Sequence, residues 1–142
     1  NVIAGEARLT GTVRTLRPET AARMPEAVAR IAATIAASRR AEAVVRYEQK
    51  ALPTVNDPAV TQVARGAALK VLGPDALYEI GPSMVGEDFC HFAPGCMGLL
   101  GVRNEACGAV YGQHHSSYTV DENALSGGVA MYVQTAIDLA AR

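Results

Sequence analysis

The chain has 142 residues, 49% hydrophobic and 19% charged, and its 13 Lys+Arg against 14 Asp+Glu leave a formal net charge of -1. That is one ordinary domain or two small halves, with enough apolar residues to bury a core. The near-zero charge argues against non-specific nucleic-acid binding, which needs a basic face, and no run approaches the roughly 18 apolar residues of a membrane span.

Cys90, Cys96 and Cys107 are odd in number and lack CxxC spacing. This points away from a disulfide framework or zinc knuckle and towards a reducing, cytoplasmic setting. The opening Asn1-Val2-Ile3 has no Met, no basic n-region and no apolar h-region, and reads as the interior of a longer protein.

Residues 6–16 alternate, with Leu9, Gly11 and Val13 on one side and Arg8, Thr10, Thr12 and Arg14 on the other. Period 2 with Thr and Val predicts a half-buried strand. After Pro18 a helix is expected to about Ser38, striped by Met24, Val28, Ile31 and Ile35, with Pro25 kinking it or delaying its start. Residues 41–50 alternate again. The joint at residues 52–58 carries two prolines and is the best domain boundary, and Asn56 or Asp57 can cap the next helix. That helix carries Val60, Val63, Ala64, Ala67, Ala68 and Val71 and stops at Gly73-Pro74. A short strand is expected at 76–80, and another, buried on both faces, at 96–102. Asp121 should cap a final helix with Leu125, Val129, Tyr132, Val133, Ala136, Ile137 and Ala140 facing inward. Strands covered by helices predict an α/β or α+β class.

Candidate chemistry lies on two loops, Gly86-Glu87-Asp88-Phe89 and the stretch from Gly112 to Glu122 with its His114-His115 pair. Adjacent histidines on an extended loop cannot both face one metal from the same side. One can ligate while a nearby polar group orients its ring; the plainer reading is a solvated loop. A zinc site needs three or four ligands, and the only other histidine is His91. Glu87 and Asp88 equally suit a helix start, where carboxylates meet unpaired N–H groups, or acid–base work near a substrate. Arg14 is either solvated or poised to clamp a carboxylate. No GxSxG, P-loop or GxGxxG pattern is present.

Three stretches together resemble one family. Asn1-Val2-Ile3 with Gly11-Thr12-Val13-Arg14-Thr15 resembles the "NVIP…GTVRT" segment of the M20 metallopeptidases. Ser83-Met84-Val85-Gly86-Glu87-Asp88-Phe89 resembles their "SMGGEDF", and residues 114–125 resemble "HHPxFxxDExAL". The likeness is to the amidohydrolase subgroup of hippurate hydrolases, N-acyl-amino-acid amidohydrolases and indole-acetyl-amino-acid hydrolases. It covers nearly this whole chain but only about the last third of a full family member. Ala4, Val85, Ser116 and Leu125-Ser126-Gly127-Gly128 depart from the family pattern.

The resemblance implies that residues 1–52 are the end of a ferredoxin-like lid or dimerisation domain. Residues 57–142 would then be the C-terminal part of a zinc-peptidase-like α/β catalytic domain. It implies that His114 is one ligand of a centre of two divalent ions, whether zinc, manganese, nickel or cobalt. Arg14 and Asn1 would contact the substrate carboxylate or the reaction intermediate, and Glu87 and Asp88 would shape the cleft. The implied reaction is attack of a metal-activated water on the amide of an N-acyl amino acid or peptide. The catalytic Glu and the other ligands are not in this segment, and a homodimer through the lid strands is implied. The alternative is a truncated, non-catalytic interaction or dimerisation module.

Overall fold

A computed structural model describes residues 1–92 and 94–142. These described residues form three helices, α1 (Pro18–Ser38), α2 (Pro58–Leu72) and α3 (Asn123–Ala140), and two 3-10 turns at Asp88–His91 and Glu105–Cys107. The chain divides into two compact units. The first comprises Asn1–Thr54 and Pro82–His91, the second Val55–Gly81 and Phe92–Arg142.

In the first unit, α1 begins with Pro18 in its first turn, where a missing N–H costs nothing, and runs through Pro25 without ending. Its covered side is Ala21, Met24, Pro25, Ala27, Val28, Ala32 and Ala36, while Ile31 and Ile35 are exposed. The expected stripe is therefore rotated towards its small residues.

The second unit is built on α2 against α3. Asp57 caps α2, its Oδ1 accepting the Val60 N–H at 2.9 Å. Val63, Ala64, Ala67 and Ala68 are buried along α2, Ala67 completely. Small residues answer from α3. A β-carbon on Gly127 would lie 3.0 Å from Leu72 Cδ2, and one on Gly128 would lie 3.1 Å from Leu100 Cδ2. Outside this contact Lys70 donates to both oxygens of Asp138, at 2.7 and 2.8 Å, and Gln134 Nε2 donates to Asp138 as well. Lys70, and then Gln134, hold the Asp138 carboxyl below the usual carboxylate range.

This register turns the apolar stripe of α3 outward. Leu125, Val129, Tyr132, Val133 and Ile137 are all exposed, whereas Ala124, Gly127, Gly128, Met131 and Thr135 are half-buried. Small residues line the covered side of α3, and the Lys70–Asp138 pair bridges the two helices beside them.

The expected α/β class, with its ferredoxin-like lid and zinc-peptidase-like sheet, is overturned. The described residues contain helices and 3-10 turns but no strand, and their sole isolated bridge joins Asn104 to Ala109. Alternation decides which way side chains point; a strand also needs a neighbour for its N–H and C=O groups. Residues 6–16 and 41–50 form no such ladder among the described residues; Leu9 stands 89% exposed, while Ala43, Val45 and Tyr47 keep their alternation as half-buried side chains without a strand partner there.

The segment 96–102 finds a substitute for a neighbouring strand. Asn56 Nδ2 donates to the Met97 carbonyl and Asn56 Oδ1 accepts the Met97 N–H, both at 2.9 Å. One side-chain amide thus satisfies both backbone groups of a residue, as a strand partner would. The Asp57 N–H donates to the Gly95 carbonyl at 2.8 Å beside it.

Ala67→Leu should overpack the α2–α3 contact and lower unfolding free energy by about 1–3 kcal/mol. Urea denaturation followed by circular dichroism measures this, and an unchanged midpoint would show that the two helices do not pack closely there.

Candidate functional site

The histidine pair sits in a loop closed at its base. Asn104 Nδ2 donates to Asp121 Oδ2 at 2.7 Å, and the Asp121 N–H donates to the Val102 carbonyl at 2.9 Å. Asn104 and Ala109 exchange two backbone hydrogen bonds, both 2.9 Å, and Ala109 is buried. Asp121 also launches α3, its Oδ1 accepting the Asn123 N–H at 3.0 Å. The donor from Asn104, then that of the Asn123 backbone, lowers the Asp121 carboxyl below its ordinary value.

Within the loop the two histidines part company. The His115 ring stacks on Tyr111, centroids 4.1 Å apart and planes 8° from parallel. Its Nδ1 accepts the Ser117 N–H at 3.0 Å. Its backbone N–H donates to Gly112, and its carbonyl accepts from Tyr118. His114 has φ 69°, in the left-handed region, which for a non-glycine residue costs about 1–3 kcal/mol and persists only where neighbours enforce it. Its side chain is exposed and makes no hydrogen bond or ion pair among the described residues.

The remaining site residues belong to the first unit. Arg14 Nη1 donates to the Met84 carbonyl at 2.9 Å. The same nitrogen lies 3.0 Å from where a β-carbon on Gly86 would be, so glycine there lets the guanidinium lie against the backbone. Glu87 is half-buried and its Oε1 accepts the Asp88 N–H at 3.0 Å. Asp88 opens the 3-10 turn that His91 closes. Asn1 is exposed and lies outside any helix or turn. The structure thus brings Arg14 to the Glu87–Asp88 loop, and it places His114 in the other unit from Arg14, Asn1, Glu87, Asp88 and His91. Sequence reasoning missed Tyr111 and Asn104. Neither spacing nor periodicity signals a ring contact within a loop or a bond from Asn104 to Asp121.

Residues 5–138 match the description of peptidase family M20/M25/M40. The chain belongs to this family. It is similar to Thermostable carboxypeptidase 2 of Saccharolobus solfataricus, with 32% identity over 142 residues, 96% of this chain and 35% of that protein. It is similar to a probable hydrolase of Synechocystis, at 34% identity over 91% of this chain and 34% of the relative. It also resembles the N-acetyldiaminopimelate deacetylase of Enterococcus faecalis, at 35% identity over 91% of this chain and 34% of the relative. The chain therefore spans about a third of the length of these curated relatives. No solved structure matches it.

M20 enzymes generally use divalent metal ions. The imidazole of His114, exposed and without a partner among the described residues, fits one position in such an ion's shell. Among the described residues, no group of three or more His, Cys, Asp or Glu side chains is gathered to complete it. No helix among them is long and apolar enough to cross a membrane.

Two outcomes follow from this geometry. Gly86→Ala should push the Arg14 guanidinium off the Met84 carbonyl, shifting the Arg14 Nε–H resonance, while global stability moves by less than about 0.5 kcal/mol. An unmoved resonance would show that the contact is not held in solution. Because the Asp121 carboxyl is lowered in the folded chain, its contribution is complete above its ordinary value of 3.8. It is lost as pH falls from there through the lowered native value. Carboxyl-carbon NMR titration should show Asp121 titrating nearer 3.8 in Asn104→Ala.

Proposed function

We propose that this chain is part of a metal-dependent amidohydrolase that cleaves N-acyl amino acids of the hippurate type. The observation that carries the reading is the exposed imidazole of His114, held up without a protein partner among the described residues on a loop that its neighbours fasten. In this reading His114 is one metal ligand. A divalent ion, when bound, supplies Lewis-acid polarisation of the amide carbonyl and acidifies a water.

The other residues bind and orient. A guanidinium has five N–H donors in a rigid fork, and Arg14 spends one on Met84. The others remain for the carboxylate of an N-acyl amino acid, with Asn1 as a second polar contact. Glu87 and Asp88 shape the loop to which Arg14 is tied. The names of the relatives agree with this chemistry, since a carboxypeptidase and an N-acetyldiaminopimelate deacetylase both hydrolyse an amide bond.

Elemental analysis of the whole protein, with hydrolysis of hippurate and N-acetyl amino acids, tests the reading. It expects about two ions per chain, as in two-metal hydrolytic sites. His114→Ala should lower kcat/KM by more than the roughly 10–100-fold that loss of an outer-shell partner costs, and Arg14→Lys should raise KM for carboxylate substrates. A protein without stoichiometric metal, or a fully active His114→Ala, would sink the reading in favour of a non-catalytic interaction module.

A further inference from the structure

The two members of the histidine pair are fastened unequally. Four contacts converge on His115. These are the ring stack on Tyr111, the Ser117 N–H on Nδ1, and the backbone bonds to the Gly112 carbonyl and from the Tyr118 N–H. None converges on His114 among the described residues, although His114 has the conformation that needs enforcing, with φ 69°. A nitrogen that accepts an N–H carries no proton, so the His115 ring in its neutral form is protonated on Nε2.

We infer that His115 is a positioning residue for His114. Its Nδ1 draws in the Ser117 N–H while its face rests on Tyr111, and the turn so closed holds the preceding residue left-handed and presents its imidazole. This rests on the reading of His114 as a metal ligand. It goes further by dividing the pair: the first histidine binds, and the second shapes the loop through one identified ring atom.

That atom makes the proposal testable by isosteres. In His115→Asn the amide oxygen falls near the place of Nδ1, whereas in His115→Gln it falls near Nε2. If Nδ1 is what matters, Asn restores the loop and Gln does not. NMR of the chain supplies two readouts that need no activity: protection of the Ser117 amide against hydrogen exchange, and the left-handed Cα and Hα shifts of His114. His115→Gln should lower Ser117 protection by roughly three- to tenfold, the worth of one ordinary hydrogen bond, and move the His114 shifts towards extended values. His115→Asn should keep both within about twofold of the parent. Equal behaviour of the two variants, or retention by Gln and loss by Asn, overturns the proposal. Titration with Zn²⁺ alone, read at the imidazole nitrogens of His114, separates the two layers. If Zn²⁺ fails to move them, the ligand reading fails, while the Asn-against-Gln contrast still decides positioning on its own.

Discussion

The bond from Asn104 to Asp121 is the constraint on which the His114 loop depends. It joins the two ends of a loop that would otherwise have to be ordered against its own conformational entropy. The same two residues carry their neighbours along. Asn104 pairs with Ala109 on one side, and Asp121 takes the backbone of Asn123 and so begins α3 on the other. A carboxylate that accepts several donors is a stronger anchor than a neutral group, which is why its carboxyl is lowered in the folded chain. Remove that closure and the Tyr111–His115 stack has no fixed base.

The helical pair supplies the platform. Its buried face is Val63, Ala64, Ala67 and Ala68 on α2, with Gly127 of α3 against Leu72 and Gly128 against Leu100, and the Lys70–Asp138 pair bridges the two helices beside it. The cost is an outward apolar stripe on α3, with Tyr132 84% exposed. Polar side chains do comparable work in the irregular parts. Asn56 acts as a strand partner for Met97, and Arg14 ties down the loop at Met84. In the first unit, Arg14 and Gly86 make one contact from two distant motifs, a guanidinium lying 3.0 Å from where a β-carbon would be.

Local signals were legible wherever chemistry at one residue decides the outcome. Pro18 and Asp57 mark helix starts, and Gly73 ends α2 with φ 94°. Asp121 was readable as the residue that launches the last helix, although Glu122 stands between it and the first helical residue. Strands were misread because 6–16 and 41–50 have the right alternation and, among the described residues, no neighbour to pair with. The inward stripe of α3 was misread because hydrophobicity ranks side chains by size. At this contact backbone proximity ranks them the other way.

By itself the sequence determined the family motifs and the helix boundaries set by Pro, Asp and Gly, and it singled out His114, Arg14, Asn1, Glu87 and Asp88 as candidates. These follow from side-chain type and short-range geometry, which a linear string records. The tertiary structure alone decided which face of α3 is covered, that Arg14 lies on Met84 and Gly86, and that His115 is tied to Tyr111 and Ser117 while His114 is not. The bonds of Arg14 to Met84 and Asn104 to Asp121 join residues far apart in the chain. They depend on the path between them, and no local pattern encodes that path.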